Sequence, residues 1–331
     1  MIYRLFITTL TILLFILSFS SVTAQTPGKS TFSAGIEGGV IDADALGSGM
    51  LLRSILRFNL QKKSGSSLLT ISSRVAPEIM SLENRLSGLR LALQGDYFIH
   101  SANHSISGGL SGRRDAYSFN GHDYYFYELT GQAKYSLQLA ADKALSLYDL
   151  LAWRRADALQ ENSIIQNRAE LSYNFRIADW QFGTGAFYET AAFKTNLNDS
   201  LESAFNRRLG PQITLAYQRL FILNIDYKYG LHIQKYKADQ QFSIMAGRYL
   251  TQRVSLFVFL YYLVKKQDDT NNSITVFNRL SAANAFSAKL GVDVSKATHL
   301  YIKLNYEDQQ IINNVMLIST WQGLLGMQHR F

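Results

Sequence analysis

The chain has 331 residues, of which 47% are apolar, 18% charged and 13% aromatic, with no cysteine and a formal net charge of +8. It is too polar for a bundle of membrane helices, and the missing thiol excludes disulfide frameworks, thiolate metal sites and cysteine nucleophiles. The cations are interleaved with acids rather than gathered in a block, which argues against a nucleic-acid partner.

Residues 1–24 read as a secretory signal peptide. Arg4 supplies its positive start, Leu5 to Phe19 its apolar centre, and Val22-Thr23-Ala24 the small residues before a cleavage point that leaves Gln25 first. The apolar run of about 15 residues, interrupted by Thr8, Thr9 and Thr11, falls short of the ~20 that a spanning helix needs. No cysteine sits at the cleavage point, so no lipoprotein anchor is expected. After Ala24 no apolar stretch is long enough to cross a bilayer as a helix. Export without a membrane helix leaves the periplasm, the medium, or the outer membrane as a barrel.

The mature chain, 25–331, alternates with period two, the signature of strands with one apolar and one polar face. Over Tyr127–Leu139, Leu129, Ala133, Tyr135 and Leu137 oppose Glu128, Thr130, Gln132, Lys134 and Gln138. Over Asn167–Ile177, Ala169, Leu171, Tyr173, Phe175 and Ile177 oppose Arg168, Glu170, Ser172, Asn174 and Arg176. The pattern recurs from Leu223 to Gln234 and from Leu300 to Glu307. Most such segments reach the ~9–11 residues that a tilted strand needs to cross a bilayer, beyond the usual five or six of a soluble sheet. Proline, which removes a ladder donor, occurs only at Pro27, Pro77 and Pro211.

Short polar turns fall near 62–65, 101–103, 141–143, 178–179, 251–253 and 296–298, and longer connections near 43–49, 80–85, 119–123, 156–162, 195–205 and 267–273. Tight periplasmic turns alternating with longer outer loops are the rhythm of a closed antiparallel transmembrane β-barrel. The predicted fold is therefore all-β, with about 16 strands; merging segments 32–41, 105–113 and 147–153 into their neighbours lowers the count to 14 or 12. No linker, low-complexity tract or repeat divides residues 25–331.

The chain ends Gly323-Leu324-Leu325-Gly326-Met327-Gln328-His329-Arg330-Phe331, with Trp321, Gly323, Leu325, Met327, His329 and Phe331 on one face. This ending resembles the last strand of Gram-negative outer-membrane β-barrel proteins, which close on an aromatic residue with a glycine upstream. Gly326 and Phe331 match; His329 departs, standing where an apolar or aromatic side chain is usual. The resemblance implies that the barrel assembly machinery reads this strand as an assembly signal, and that the protein resides in the cell outer membrane, in contact with its lipid.

Chemistry, if present, is expected on the inner face. Arg53, Arg57, Arg74, Arg90, Lys134, Arg168, Arg176, Lys228, Lys289 and Lys303 fall on polar faces, as do Asp96, Glu128, Glu170, Glu189, Asp226, Asp293 and Glu307. Such charges either select solutes in a lumen or pair across neighbouring strands and fill it. The slight excess of cations leans towards anionic solutes. Sixteen strands leave room for an aqueous channel, whereas about eight would be packed shut. On the other face, Tyr97, Tyr127, Tyr135, Tyr173, Tyr188, Tyr217, Tyr227, Tyr229, Tyr262 and Trp321 suit the aromatic girdles of a membrane interface.

An enzyme is not expected. The fragments His104-Ser105-Ile106-Ser107 and Ser118-Phe119-Asn120-Gly121-His122-Asp123 lack the order of a lipase-type barrel, and neither offers an oriented base beside a nucleophile. His100 and His104 have His-x-x-x-His spacing but flank a turn rather than sharing a helix face, so no metal and no cofactor is predicted. Gly35, Gly38 and Gly39 lie in a strand, not before a helix, which removes a phosphate loop. The expected function is a channel or export barrel for small solutes or a polymer. The alternative is a non-conducting structural or assembly component of an envelope secretion or polysaccharide complex, with a partner there; a barrel lipid hydrolase or acylase ranks third.

Overall fold

A computed structural model describes residues 29–331 apart from 44–46, 82–84, 120–121, 158–160, 198–199, 220, 234–236, 266–281 and 311–316. Some strand-end side chains, including those of Glu307 and His122, lie outside that description, as do the signal peptide and the connection at 267–273.

The described chain is strand throughout. In order, the strands are β1 (Lys29–Ala43), β2 (Gly47–Ser64), β3 (Ser67–Ser81), β4 (Arg85–His100), β5 (His104–Phe119), β6 (His122–Ala140), β7 (Lys143–Asp157), β8 (Glu161–Ile177), β9 (Trp180–Leu197), β10 (Ser200–Gln218), β11 (Ile222–His232), β12 (Lys237–Tyr249), β13 (Val254–Lys265), β14 (Ala282–Asp293), β15 (Thr298–Gln310) and β16 (Leu317–Arg330). Each pairs antiparallel with its chain neighbours, and β16 returns to β1, so the sixteen strands form one closed barrel. Closure leaves no unpaired edge, the condition for backbone to survive in hydrocarbon.

The periplasmic turns are tight because their residues fit. Gly65 takes a φ of 56°, which the two-residue hairpin demands. The Ser295 hydroxyl accepts from the amides of Ala297 and Thr298, and Thr251 does the same for Arg253 and Val254. At the outer end the structure departs from expectation. The stretch 195–205, expected as a long loop, is mostly ladder: β9 runs to Leu197 and β10 starts at Ser200, with Leu197 paired to Ser200. A hairpin that rises above the lipid band meets water on both faces, so it loses the alternation that marks strand in the sequence.

The apolar side chains cover the outside. Leu52, Leu93, Leu110, Leu129, Leu151, Leu171, Ile213, Ile302 and Leu325 are all more than half exposed in the isolated chain. Such a surface is stable only against lipid; a Lys or Arg at its mid-height would cost about 2–4 kcal/mol. Aromatic rings mark its edges: Trp180, Tyr217 and Phe221 form a chain with centroids 4.8 and 4.5 Å apart near the periplasmic turns, and Tyr306 packs on Trp321 at 4.5 Å near the outer end.

Candidate functional site

The inner face is identified by side chains that meet over one or two intervening strands, which a concave wall permits and a convex one does not. Tyr301 of β15 reaches Glu37 of β1, Arg208 of β10 reaches Asp239 of β12, and Lys228 of β11 reaches Glu170 of β8.

The first inner cluster spans the join between the first and last strands. The residues Tyr301, Gly326, Glu37, Arg53 and Glu78 stand opposite one another in register from β15 to β3. The Tyr301 hydroxyl donates to Glu37 Oε1 at 2.7 Å, and Arg53 donates to Glu37 Oε2 at 3.1 Å and to Glu78 Oε2 at 2.6 Å. Arg90 completes the network on Glu78 Oε1 at 3.0 Å. Gly326 makes the long reach work: a Cβ there would lie 2.4 Å from the Tyr301 ring. The ring lies flat over the bare backbone of β16 and its hydroxyl emerges beyond it.

Around this braced row the charge does not balance. Arg57 stands directly opposite Arg74, and Lys289 directly opposite Lys303. Like charges face to face across strands repel. Lys289 Nζ lies 4.0 Å from the centre of the Tyr301 ring and within electrostatic reach of Arg57. Among the described residues Arg53, Arg57, Arg74, Arg90, Lys289 and Lys303 stand here against Glu37, Glu78 and Asp293, with Asp115 of β5 opposite Arg90 at the edge; Asp293 sits at the periplasmic end bonded to His299 at 2.8 Å.

The second cluster lies eight strands round the ring, centred on β10. Arg168, Glu189, Arg208 and His232 stand in register across β8 to β11. Arg208 is held by Glu189 at 2.5 Å and by both Asp239 oxygens at 2.7 Å, and Arg168 lies 3.1 Å from Glu189. Arg168 also contacts Glu170, which takes Gln212 at 3.2 Å and Lys228 at 3.3 Å. His232 Nε2 is 3.0 Å from Asp239. Arg208 and Glu189 have no exposed surface at all. Gly230 repeats the device of Gly326, since a Cβ there would meet Asp239 at 2.7 Å and Arg208 at 3.2 Å. Here four acids, Glu170, Glu189, Asp226 and Asp239, face three cations, Arg168, Arg208 and Lys228, with His232 bonded to Asp239.

Between the two clusters, on β4 to β7, the inner wall is hollowed. Two adjoining cavities of about 250 and 260 Å³ share Asp96 and Gln132. Lys134 and Tyr148 line one, Glu128 and Arg154 the other. Gln94 donates to Asp96 at 2.6 Å, Arg154 lies 3.4 Å from Glu128, and Arg113 grips Asp115 on the same face.

A closed ring, an apolar outer belt edged by aromatic rings and a charged concave wall describe one kind of object. This chain is an outer-membrane β-barrel. No protein-family model and no curated protein matches it. Among solved structures it resembles CdiB from Acinetobacter baumannii, at a TM-score of 0.50 and 6% identity over 92% of this chain and 60% of that one. Looser likenesses are to Pseudomonas aeruginosa OccK11 (TM-score 0.44, 8% identity, 91% of this chain and 96% of that one). Another is the TodX monoaromatic hydrocarbon channel deltaS2 mutant (0.42, 10%, 92% and 91%). At these identities the likeness is one of fold.

Register places Arg53, Arg57, Arg74, Arg90, Asp96, Glu128, Lys134, Arg168, Glu170, Arg176, Asp226, Lys228, Lys289, Asp293 and Lys303 on the concave face of the barrel. Glu307 has that parity, but its side chain lies outside the described residues. The structure does not gather them into one site; it divides them between the walls above. Arg176 stands apart, exposed beside the turn at Ala178. Sequence reasoning missed Glu37, Glu78, Arg113, Asp115, Arg154, Arg208 and Asp239, and gave His232, on the polar face of its strand, no role. His104 lies on the outer face with Nδ1 2.6 Å from the Tyr135 hydroxyl, while His100 takes the inner parity, so the two imidazoles do not converge. Gly326 has the structural task given above. Phe331 donates its amide to the Phe32 carbonyl, and the two rings lie tilted with centroids 5.6 Å apart.

Proposed function

We propose that the barrel is a channel for small anionic solutes, carried past the wall on which Arg57 faces Arg74 and Lys289 faces Lys303. That pairing of like charges is the observation behind the reading. Folding gains nothing by opposing cations across a ladder, and the nearby carboxylates Glu37 and Glu78 already hold Arg53 and Arg90. A carboxylate or phosphate passing through would relieve the repulsion, which is how rings of charge bias permeation. The sixteen-strand count supports the reading, since barrels of that size have room for an aqueous channel. No catalysis belongs to this reading.

Purified protein in planar bilayers tests it. Under a KCl gradient the reversal potential is expected to favour chloride, and the Arg57→Gln, Arg74→Gln double variant to move it towards potassium. A folded protein that never conducts, or that prefers cations, defeats the reading.

A second reading has one observation in its favour. Arg208 and Glu189 face inwards and are fully buried, so that part of the interior is packed. A filled barrel serving an envelope complex would look like this on every wall. A partner that stays with the protein through purification favours it, and robust solute flux removes it.

A further inference from the structure

The lipid-facing positions of β7 are Leu145, Leu147, Asp149, Leu151 and Trp153. Asp149 is the middle one. It lies six residues from the periplasmic end of the strand at Lys143. At ~3.3 Å per residue and a tilt of ~40° that is about 15 Å up a lipid-facing band ~25 Å tall. A carboxylate is therefore held near the middle of the hydrocarbon. Asn167 of β8, also lipid-facing, donates to Asp149 Oδ1 at 3.3 Å. The other oxygen has no protein partner among the described residues. On the far side of the barrel the outer wall is apolar at mid-height, as in the row Leu256, Leu290, Ile302 and Leu325.

The ground around Asp149 is low. Its row across the sheet runs Tyr97, Gly108, Ala133, Asp149, Ala169, Tyr188 from β4 to β9. Further along β5, past Leu110, lies Gly112, where an added Cβ would meet nothing within 4 Å, so this fold does not require glycine there. Small residues on a membrane face let another backbone come close.

We propose that this wall is where two copies of the chain meet side by side, Asp149 of each against Asn167 of the other. Hydrocarbon offers Asp149 no donor, so its second oxygen is satisfied only by another polypeptide that brings a donor to this depth. The patch carries an acceptor and an amide donor side by side. A two-fold axis therefore presents each to its complement, as an isologous interface requires. The inference stands apart from the channel reading and is unaffected if the barrel does not conduct.

The chain has no cysteine, so single introduced thiols report proximity cleanly. Leu151→Cys, on the proposed face, and Ile302→Cys, on the opposite wall, are treated with a bifunctional thiol reagent in outer-membrane vesicles. The Leu151→Cys protein is expected to yield a covalent dimer and Ile302→Cys none. Asp149→Leu is expected to weaken dimerisation at least tenfold in detergent, with the barrel intact by its heat-modifiable gel mobility. Asp149→Asn, which keeps both donor and acceptor, is expected to retain association. Equal cross-linking at the two positions, capture of a different polypeptide by Leu151→Cys, or a dimer indifferent to Asp149→Leu overturns the proposal.

Discussion

Tyr301 and Glu37 hydrogen-bond at 2.7 Å over a strand to which neither belongs. The strand is β16, and its residue between them is Gly326. Three strands are thereby braced by side chains at the one junction in the barrel where no turn holds neighbours together.

Removing the hydroxyl tests the brace. Tyr301→Phe deletes a hydrogen bond to a buried carboxylate, worth about 1.5–3 kcal/mol. Gly326→Ala is expected to cost more, because its methyl displaces the ring as well as breaking the bond. Urea unfolding of protein refolded into vesicles measures both.

Arg208 is the only cation shared by the buried Glu189 and Asp239 oxygens nearest it in the described network. Arg208→Met removes the cation that bridges the two buried carboxylates, leaving Glu189 to Arg168 and Asp239 to His232, and is expected to destabilise by about 3–5 kcal/mol. Combining it with Glu189→Gln and Asp239→Asn is expected to recover most of that loss, since the uncompensated charge goes too. The unfolding midpoints of the single and triple variants decide the point.

Ala178 has a φ of 50° in the turn between β8 and β9. An L-residue held there loses about 1–2 kcal/mol, which asparagine tolerates better. Ala178→Asn is expected to raise the unfolding midpoint; an unchanged or lower midpoint contradicts the strain.

In the adjacent periplasmic turns, exposed Arg219 donates to Asp179 at 2.9 Å. That hydrogen bond, and then the carboxylate charge, raise the guanidinium pKa. A raised cationic pKa stabilises fully below the unfolded value and fades only as pH climbs through the folded one, here above the ordinary guanidinium range. Between about pH 5 and 9 the pair is expected to add no pH dependence, and Asp179→Asn to leave stability unchanged by urea titration.

Phe331 is 73% exposed, with ring contacts to His329 and Phe32. If it serves as the assembly signal, Phe331→Ala is expected to refold in vitro almost as the parent does while its level in the outer membrane of cells falls several-fold. Parallel losses in both assays would make the residue structural.

Lipid is what made this fold legible. It demands apolar side chains at every second position of every strand, so parity alone sorted Arg53 and Lys303 inwards and Tyr97 and Trp321 outwards. The segments that read poorly are those where the rule is broken: 105–113 has Gly108 and Gly112 on its outer face, and 147–153 has Asp149 there. Arg208 escaped notice because it follows Arg207 near a stretch that reads as loop, and parity is silent where the ladder leaves the membrane. Partnership lay beyond reach altogether. Tyr301 and Glu37 are 264 positions apart, and nothing local says that a closed ring sets them in one row.

The brace over Gly326 bears on how the ring would fail under load. A cylinder made from one ribbon usually parts where its two edges were brought together. Here that junction is stapled from the inside by a tyrosine lying across it, and β1 and β16 are 15 and 14 residues long. Strands β11 to β14 are shorter, at 11 to 13 residues. The two ends of the chain therefore meet on a junction fastened by side chains as well as by its backbone ladder.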